Sequence, residues 1–225
     1  MLFLRAQHIA AVLLALLGPA HANPEAAALL FEVPALADVP TGATLVYRFE
    51  HTGTRGPTSA PAESRIELSL RPDGASGRDA AIETVTDGGR HRAGSFPSGV
   101  GNPVLLVVLE RDVTEMARQL GGSPYYIRNR IREAIGASAP AAPTRLRYGD
   151  REVEGWRIEA SPFAQDRHRD KLGDQAAKRY TFVISEAVPG RLHEIRMVTP
   201  APDGAPLVED RLIFERIEPA REEAR

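Results

Sequence analysis

The densest cluster of chemistry-bearing side chains in the chain is Asp166-Arg167-His168-Arg169-Asp170. In an extended segment Asp166, His168 and Asp170 share a face, and two carboxylates with an imidazole form a ligand set for a divalent metal. The interleaved Arg167 and Arg169 raise the local positive potential, and no second histidine or glutamate stands at ligand spacing. A solvated charged loop is therefore the preferred reading. Nucleophilic catalysis has less to hold. Ser95 and Ser98 lie near His91, but a nucleophile needs a base in reach and a group that orients that base. No G-x-S-x-G, H-E-x-x-H, G-x-x-x-x-G-K-S/T or G-x-G-x-x-G motif supplies that context. His51, His91 and His193 are isolated and read as strand or turn residues. Arg128, Arg130 and Arg132 follow Tyr125 and Tyr126 and make a basic helix, with Arg128 and Arg132 on one face. A solvent face balanced by Glu133 is preferred there over contact with an anionic lipid headgroup or a partner protein.

Composition removes other chemistry. None of the 225 residues is cysteine, which excludes disulfide scaffolds, thiol catalysis, Cys-ligated zinc and iron–sulfur clusters. Against 30 acidic side chains there are 28 basic ones, and a formal net charge of -2 is too little positive charge for a polyanion binder. Every basic residue is an arginine except Lys171 and Lys178, a bias read as general rather than as selection for anion recognition. The expectation is a non-catalytic protein with no cofactor, no metal site and no nucleic-acid partner.

What remains is apolar. Val104 to Leu109 is hydrophobic on every side, and Val113, Met116, Ala117 and Leu120 continue the face that Leu105 and Leu109 begin. Asn102 as N-cap with Pro103 at the first helical position predicts a helix, while the β-branched valines leave a buried strand as the alternative. A helix enclosed all round needs a concave partner. A strongly curved antiparallel sheet presenting Tyr47, Phe49, Trp156, Phe182 and Phe214 would supply it. If the helix plugs the concavity, these residues are core, the commoner arrangement. If it forms a lid, the space behind it is an apolar pocket suited to acyl chains. The candidate ligand-binding residues are Tyr47, Phe49, Leu105, Leu109, Met116, Trp156, Phe182 and Phe214.

The elements that must position them follow from turn chemistry and period. Residues 1–22 read as a secretory signal peptide: Arg5, an apolar run from Ile9 to Leu17, the Gly18-Pro19 break, and Ala20-His21-Ala22 before the cleavage point. That run is about half the roughly 20 residues needed to span a bilayer, so no stable membrane span is expected. Residues 23–38 form a flexible or helical lead-in. Strict alternation marks strands over Thr44 to Glu50, Arg65 to Arg71 and Ala80 to Thr86, and Asp87-Gly88-Gly89 turns into another. A helical insert spans 103–136, broken at Gly121-Gly122, and Gly136 to Pro143 reads as a linker. Strands resume at Thr144 to Tyr148 and Trp156 to Ala160. After a polar stretch, hairpins run through Val188-Pro189-Gly190 and Pro202-Asp203-Gly204 to Arg216. The expected fold class is α+β: one domain over 39–216, a curved antiparallel half-barrel with a helical insert on its concave face, and a tail over 217–225.

This order of elements, with the signal peptide and the Tyr180-Thr181-Phe182 strand leading into Val188-Pro189-Gly190 and a further strand, resembles the LolA-like periplasmic lipoprotein carriers. The resemblance covers most of residues 39–216. It implies an exported, periplasmic or secreted protein that shelters a hydrophobic ligand such as a lipid or a lipoprotein acyl chain. The alternative is an envelope interaction or assembly module with a filled core.

Overall fold

The computed structural model describes residues 25–53, 63–73 and 77–220. The segment read as a signal peptide, 1–22, lies outside these, as do the Gly- and Pro-rich loop at 54–62 and the end of the tail. Nine strands form one antiparallel sheet: β1 (Thr44–Gly53), β2 (Glu63–Asp73), β3 (Gly77–Thr86), β4 (Gly89–Pro97), β5 (Ala141–Tyr148), β6 (Arg151–Ala160), β7 (Arg179–Ile184), β8 (Leu192–Pro200) and β9 (Pro206–Glu218). Their order across the sheet is β4-β3-β2-β1-β9-β8-β7-β6-β5. Each half is a run of consecutive hairpins, and the first and last strands meet at the seam between them.

Period-two patterning fixes which face is buried, because directly paired residues point the same way. Phe49 pairs with Ser64 and Leu212, Leu212 with Ile195, Ile195 with Phe182, Phe182 with Ile158, and Ile158 with Ala141. All of these are buried, so one row of side chains crosses seven strands without a break. The opposite face carries arginine–glutamate pairs, among them Arg48–Glu215 at 3.0 Å, Arg196–Glu209 at 2.7 Å and Arg211–Glu194 at 2.7 Å. Exposed pairs of this kind contribute little stability each and keep that face wet.

Two antiparallel helices, α1 (Pro103–Leu120) and α2 (Pro124–Ser138), cover the apolar concave face. The structure is thus the α+β half-barrel with a helical insert that patterning predicts. Asn102 caps α1: its Oδ1 accepts from Val104 N–H at 3.1 Å, while its Nδ2 donates to the Tyr47 hydroxyl at 2.9 Å and to the Gly190 carbonyl at 2.8 Å. One buried carboxamide therefore joins the helix start to β1 and to the turn before β8. Burial raises the Tyr47 phenol pKa well above its usual value, with the Asn102 bond acting in the opposite direction. Gly190 (φ +73°) is required at that turn, since a Cβ there would sit 2.6 Å from Leu45 Cδ1 and 2.9 Å from Asn102 Nδ2. Gly121 (φ 61°) ends α1 in the left-handed region, with its N–H on the Ala117 carbonyl.

Several expectations need correction. The first turns of α1 are not enclosed on every side, because Leu106 is 48% exposed. Residues 136–143 are no linker: α2 runs through Ser138 and β5 begins at Ala141. The polar stretch before β7 folds into a short helix, α3 (Arg169–Leu172), and a 3-10 turn. The strand expected to end at Arg216 continues to Glu218. The lead-in, expected to be flexible or helical, is helical over Ala28–Glu32 and belongs to the fold, with Ala26, Leu30, Leu36 and Val39 buried in the core. Arg78 fastens it, its guanidinium donating to the carbonyls of Val39 at 2.5 Å and Leu36 at 2.9 Å.

Replacing Asn102 by Ala removes the cap and leaves a buried hydroxyl and a buried carbonyl without their donor, an expected loss of about 2–4 kcal/mol in urea unfolding. Asn102→Asp keeps the cap acceptor but sets an oxygen against the Gly190 carbonyl, so it should cost at least as much as Ala. If Asp instead restores wild-type stability, the cap alone matters and the bridge to the sheet does not.

Candidate functional site

The residues of α1 divide into two sets. Val104 and Leu105 are packed into the core, whereas the residues from Leu106 to Met116, and Gln119 beyond them, border a cavity of about 870 Å³, partly open to solvent. Volumes of about 300–1,000 Å³ are typical of small-molecule sites. The sheet contributes Phe49 and His51 from β1, Met197 from β8, Val208 and Asp210 from β9, and Ala93 and Phe96 from β4. Ile131 and Ile135 of α2 and Phe31 of the lead-in add to the apolar part of the lining, and Arg128 and Arg132 of α2, Gln175 and Lys178 bring polar groups to it. Among the described residues no helix is long and apolar enough to cross a membrane.

Phe49, Leu109 and Met116, of the sequence-predicted binding residues, border this cavity. Tyr47, Leu105, Phe182 and Phe214 are buried in the surrounding core and do not touch it; Tyr47 and Phe214 pack edge to face at 5.4 Å between ring centres. Trp156 is half-buried against the core and also lies away from the cavity.

Polar residues that sequence reasoning passed over gather at one level of the sheet. The row next to Phe49 reads His51, Asp210, Met197, Tyr180, Ala160 by register. His51 Nδ1 and Asp210 Oδ1 are 2.6 Å apart. Asp112 of α1 is 5% exposed, yet it forms an ion pair with the buried Lys178 and accepts from the Tyr180 hydroxyl at 2.6 Å. Burial, reinforced by Asp112, raises the Tyr180 phenol well above its ordinary value, so it stays a donor. Arg111 lies over the Phe49 ring, 4.2 Å from its centre. Burial lowers its guanidinium pKa, opposed by the fields of Asp210, Glu115 and Asp112. Glu115 is held below the usual carboxylate range by its bond from Arg118. Two features of the sequence mark this cluster. Asp112 falls on the apolar stripe of Leu105, Val108 and Met116, where a carboxylate needs a partner, and Lys178 is one of two lysines in an arginine-rich chain.

The other candidates resolve differently. Asp166 is buried and ties α2 to the segment before β7, accepting from Tyr126 at 2.6 Å, Arg130 Nε at 2.8 Å and His168 N–H at 2.7 Å. The solvated-loop expectation fails at this residue, because its charge is enclosed by donors. Burial pushes its pKa up, but these bonds outweigh burial and hold the carboxyl below its ordinary value. Among the described residues no group of three His, Asp or Glu side chains stands close enough to hold a metal. Ser95 donates to Asp79 and Ser98 to the Arg78 carbonyl at 2.8 Å, so neither hydroxyl is bonded to an imidazole. Arg128 pairs bidentately with Glu110 at 2.6 and 2.9 Å, and Arg130 with Glu133 at 2.7 Å.

No family model matches the sequence, and no curated protein matches it either. Among solved structures, the lipoprotein LppX of Mycobacterium tuberculosis is similar over 80% of this chain and 87% of its own, with 8% identity and a TM-score of 0.36.

Lys178→Met leaves the Asp112 charge buried with only Tyr180 to satisfy it, and should cost about 3–5 kcal/mol. Adding Asp112→Asn removes that charge and should recover a substantial part; no recovery in the double variant would mean Lys178 acts by packing. For Asp166, whose folded-state pKa is depressed, stabilisation is complete above the unfolded value near 3.9 and is lost as pH falls through the lower folded one. Asp166→Asn should therefore be less stable at neutral pH and show a shallower acid loss than wild type in urea titrations at stepped pH.

Proposed function

We propose that this protein is a non-catalytic binding or carrier protein for a hydrophobic ligand, a lipid or acyl chain, exported by the segment at residues 1–22. One observation carries the reading. A largely apolar cavity of about 870 Å³ with charged side chains in its lining lies between α1 and the concave sheet, and α1 covers it while keeping Leu106 in solvent. A chain entering there exchanges water for Phe49, Leu109, Val113, Ile131 and Met197, and each buried methylene contributes about 0.8 kcal/mol. The n-region charge, apolar run and small-residue cleavage pattern at 1–22 support export to the periplasm or beyond.

Native mass spectrometry of the mature protein, purified without detergent and followed by organic extraction, should show a stoichiometric acyl-chain species. Leu109→Trp, placed on the half-buried lining, should fold with an unchanged far-ultraviolet spectrum and carry none. A clean apo mass that stays unchanged after incubation with lipid vesicles would overturn the carrier reading. The function would then move to an envelope interaction module, for which Val100 and Tyr125, 63% and 68% exposed, offer apolar contact points.

A further inference from the structure

The charged side chains that line the cavity described above are not all paired. Its lining holds four carboxylates, and each is engaged. Glu110 is paired with Arg128, Asp112 with Lys178 and Glu115 with Arg118, and Asp210 is hydrogen-bonded to His51. Two lining cations remain, Arg111 and Arg132, with no hydrogen bond or ion pair among the described residues. They differ in setting. Arg132 is exposed on α2, where water serves it; Arg111 is half-buried, with its Cζ over the Phe49 ring, 4.2 Å from the ring centre. A guanidinium carries five N–H donors in a rigid fork, and burying them without acceptors is costly. Asp210, Glu115 and Asp112 act on Arg111 only through space; both oxygens of Asp112 and of Glu115 are bonded to other partners, and Asp210 Oδ1 lies 2.6 Å from His51 Nδ1.

We propose that the cavity's ligand is an anionic amphiphile whose acid group is bound by the Arg111 fork while its chain occupies the apolar lining. This rests on the carrier reading and narrows it from hydrophobic ligands in general to those with a carboxylate or phosphate headgroup. The planar fork matches two oxygens of either group, and the contact of Arg111 with the Phe49 ring occupies none of its N–H donors in a hydrogen bond to the described residues. A neutral lipid leaves the fork unpaired and forgoes the charge-assisted bonds.

The test is displacement of the neutral fluorophore N-phenyl-1-naphthylamine from the mature protein by three probes of equal chain length: dodecanoate, dodecyl phosphate and dodecan-1-ol. Wild type should bind at least one of the anions about tenfold or more tightly than the alcohol, the factor expected of a charge-assisted bidentate contact. Whichever anion is preferred identifies a fatty acid or a phosphorylated lipid as the source. Arg111→Gln should abolish the preference and leave dodecan-1-ol affinity within about twofold, while Arg132→Gln should keep it. Equal wild-type affinity for anions and alcohol would overturn the proposal with the carrier reading intact, and would do so even if Arg111→Gln failed to fold. Loss of the preference in Arg132→Gln but not in Arg111→Gln would overturn the assignment to Arg111. Failure of all three probes to displace, or of the fluorophore to bind, would overturn the carrier reading itself.

Discussion

The Asn102 carboxamide has three polar contacts to make, and the helix pair and the sheet are the two bodies between which it makes them. Its oxygen starts α1, and its nitrogen holds β1 and the turn before β8. The exit of α1 from that cap determines the spacing between helix and sheet along its whole length. Near the cap the spacing is closed by Val104 and Leu105; further along it opens into the cavity. The glycine at 190 belongs to the same constraint, since any side chain there would occupy the place of the carboxamide. The later turns of the helix border the cavity and are also held by Val108, Val113 and Met116, which are buried in the core.

Those later turns carry a second constraint. Asp112, Lys178 and Tyr180 set an ion pair and a phenol inside a region that is apolar above and below. Pairs of this kind seldom add net stability, because desolvation consumes the Coulombic gain. Their effect is on geometry: a carboxylate that must meet both an ammonium and a hydroxyl allows α1 one rotation about its axis. That rotation directs Arg111 onto Phe49 and Met116 toward the Tyr180 hydroxyl, 3.8 Å from its sulfur.

How much of this the sequence shows depends on which interactions are local. The strands of the sheet announce themselves by alternation, as in Arg65 to Arg71, and α1 by Asn102-Pro103 with its apolar stripe, because those signals reside in consecutive residues. Curvature around the insert follows from the need to cover that stripe. The lead-in was obscure because Leu30, Leu36 and Val39 are buried by partners elsewhere in the chain, and the Arg78 fastening joins residues about forty positions apart. The same holds for the site. Phe49, Leu109 and Met116 lie where a period places them, but which aromatic is core and which is lining depends on how far α1 stands off the sheet, and period carries no such distance. Asp112 with Lys178 spans 66 positions, and His51 with Asp210 spans 159. Only their odd chemistry hinted at them: an acid on an apolar stripe, a lysine among arginines.

The seam of the sheet has a consequence for how the molecule comes into being. β1 and β9, from opposite ends of the described chain, lie side by side at the centre, with Thr44 opposite Glu218. Hairpins on either side of the seam close from neighbouring segments, but the hollow they enclose does not exist until the last strand arrives. A chain emerging in order therefore holds β1 with one unpaired rim until β9 is made, and β8 likewise. Unpaired rims recruit strands from other molecules. The docking of β9 between the two halves is thus the pairing that removes both rims at once.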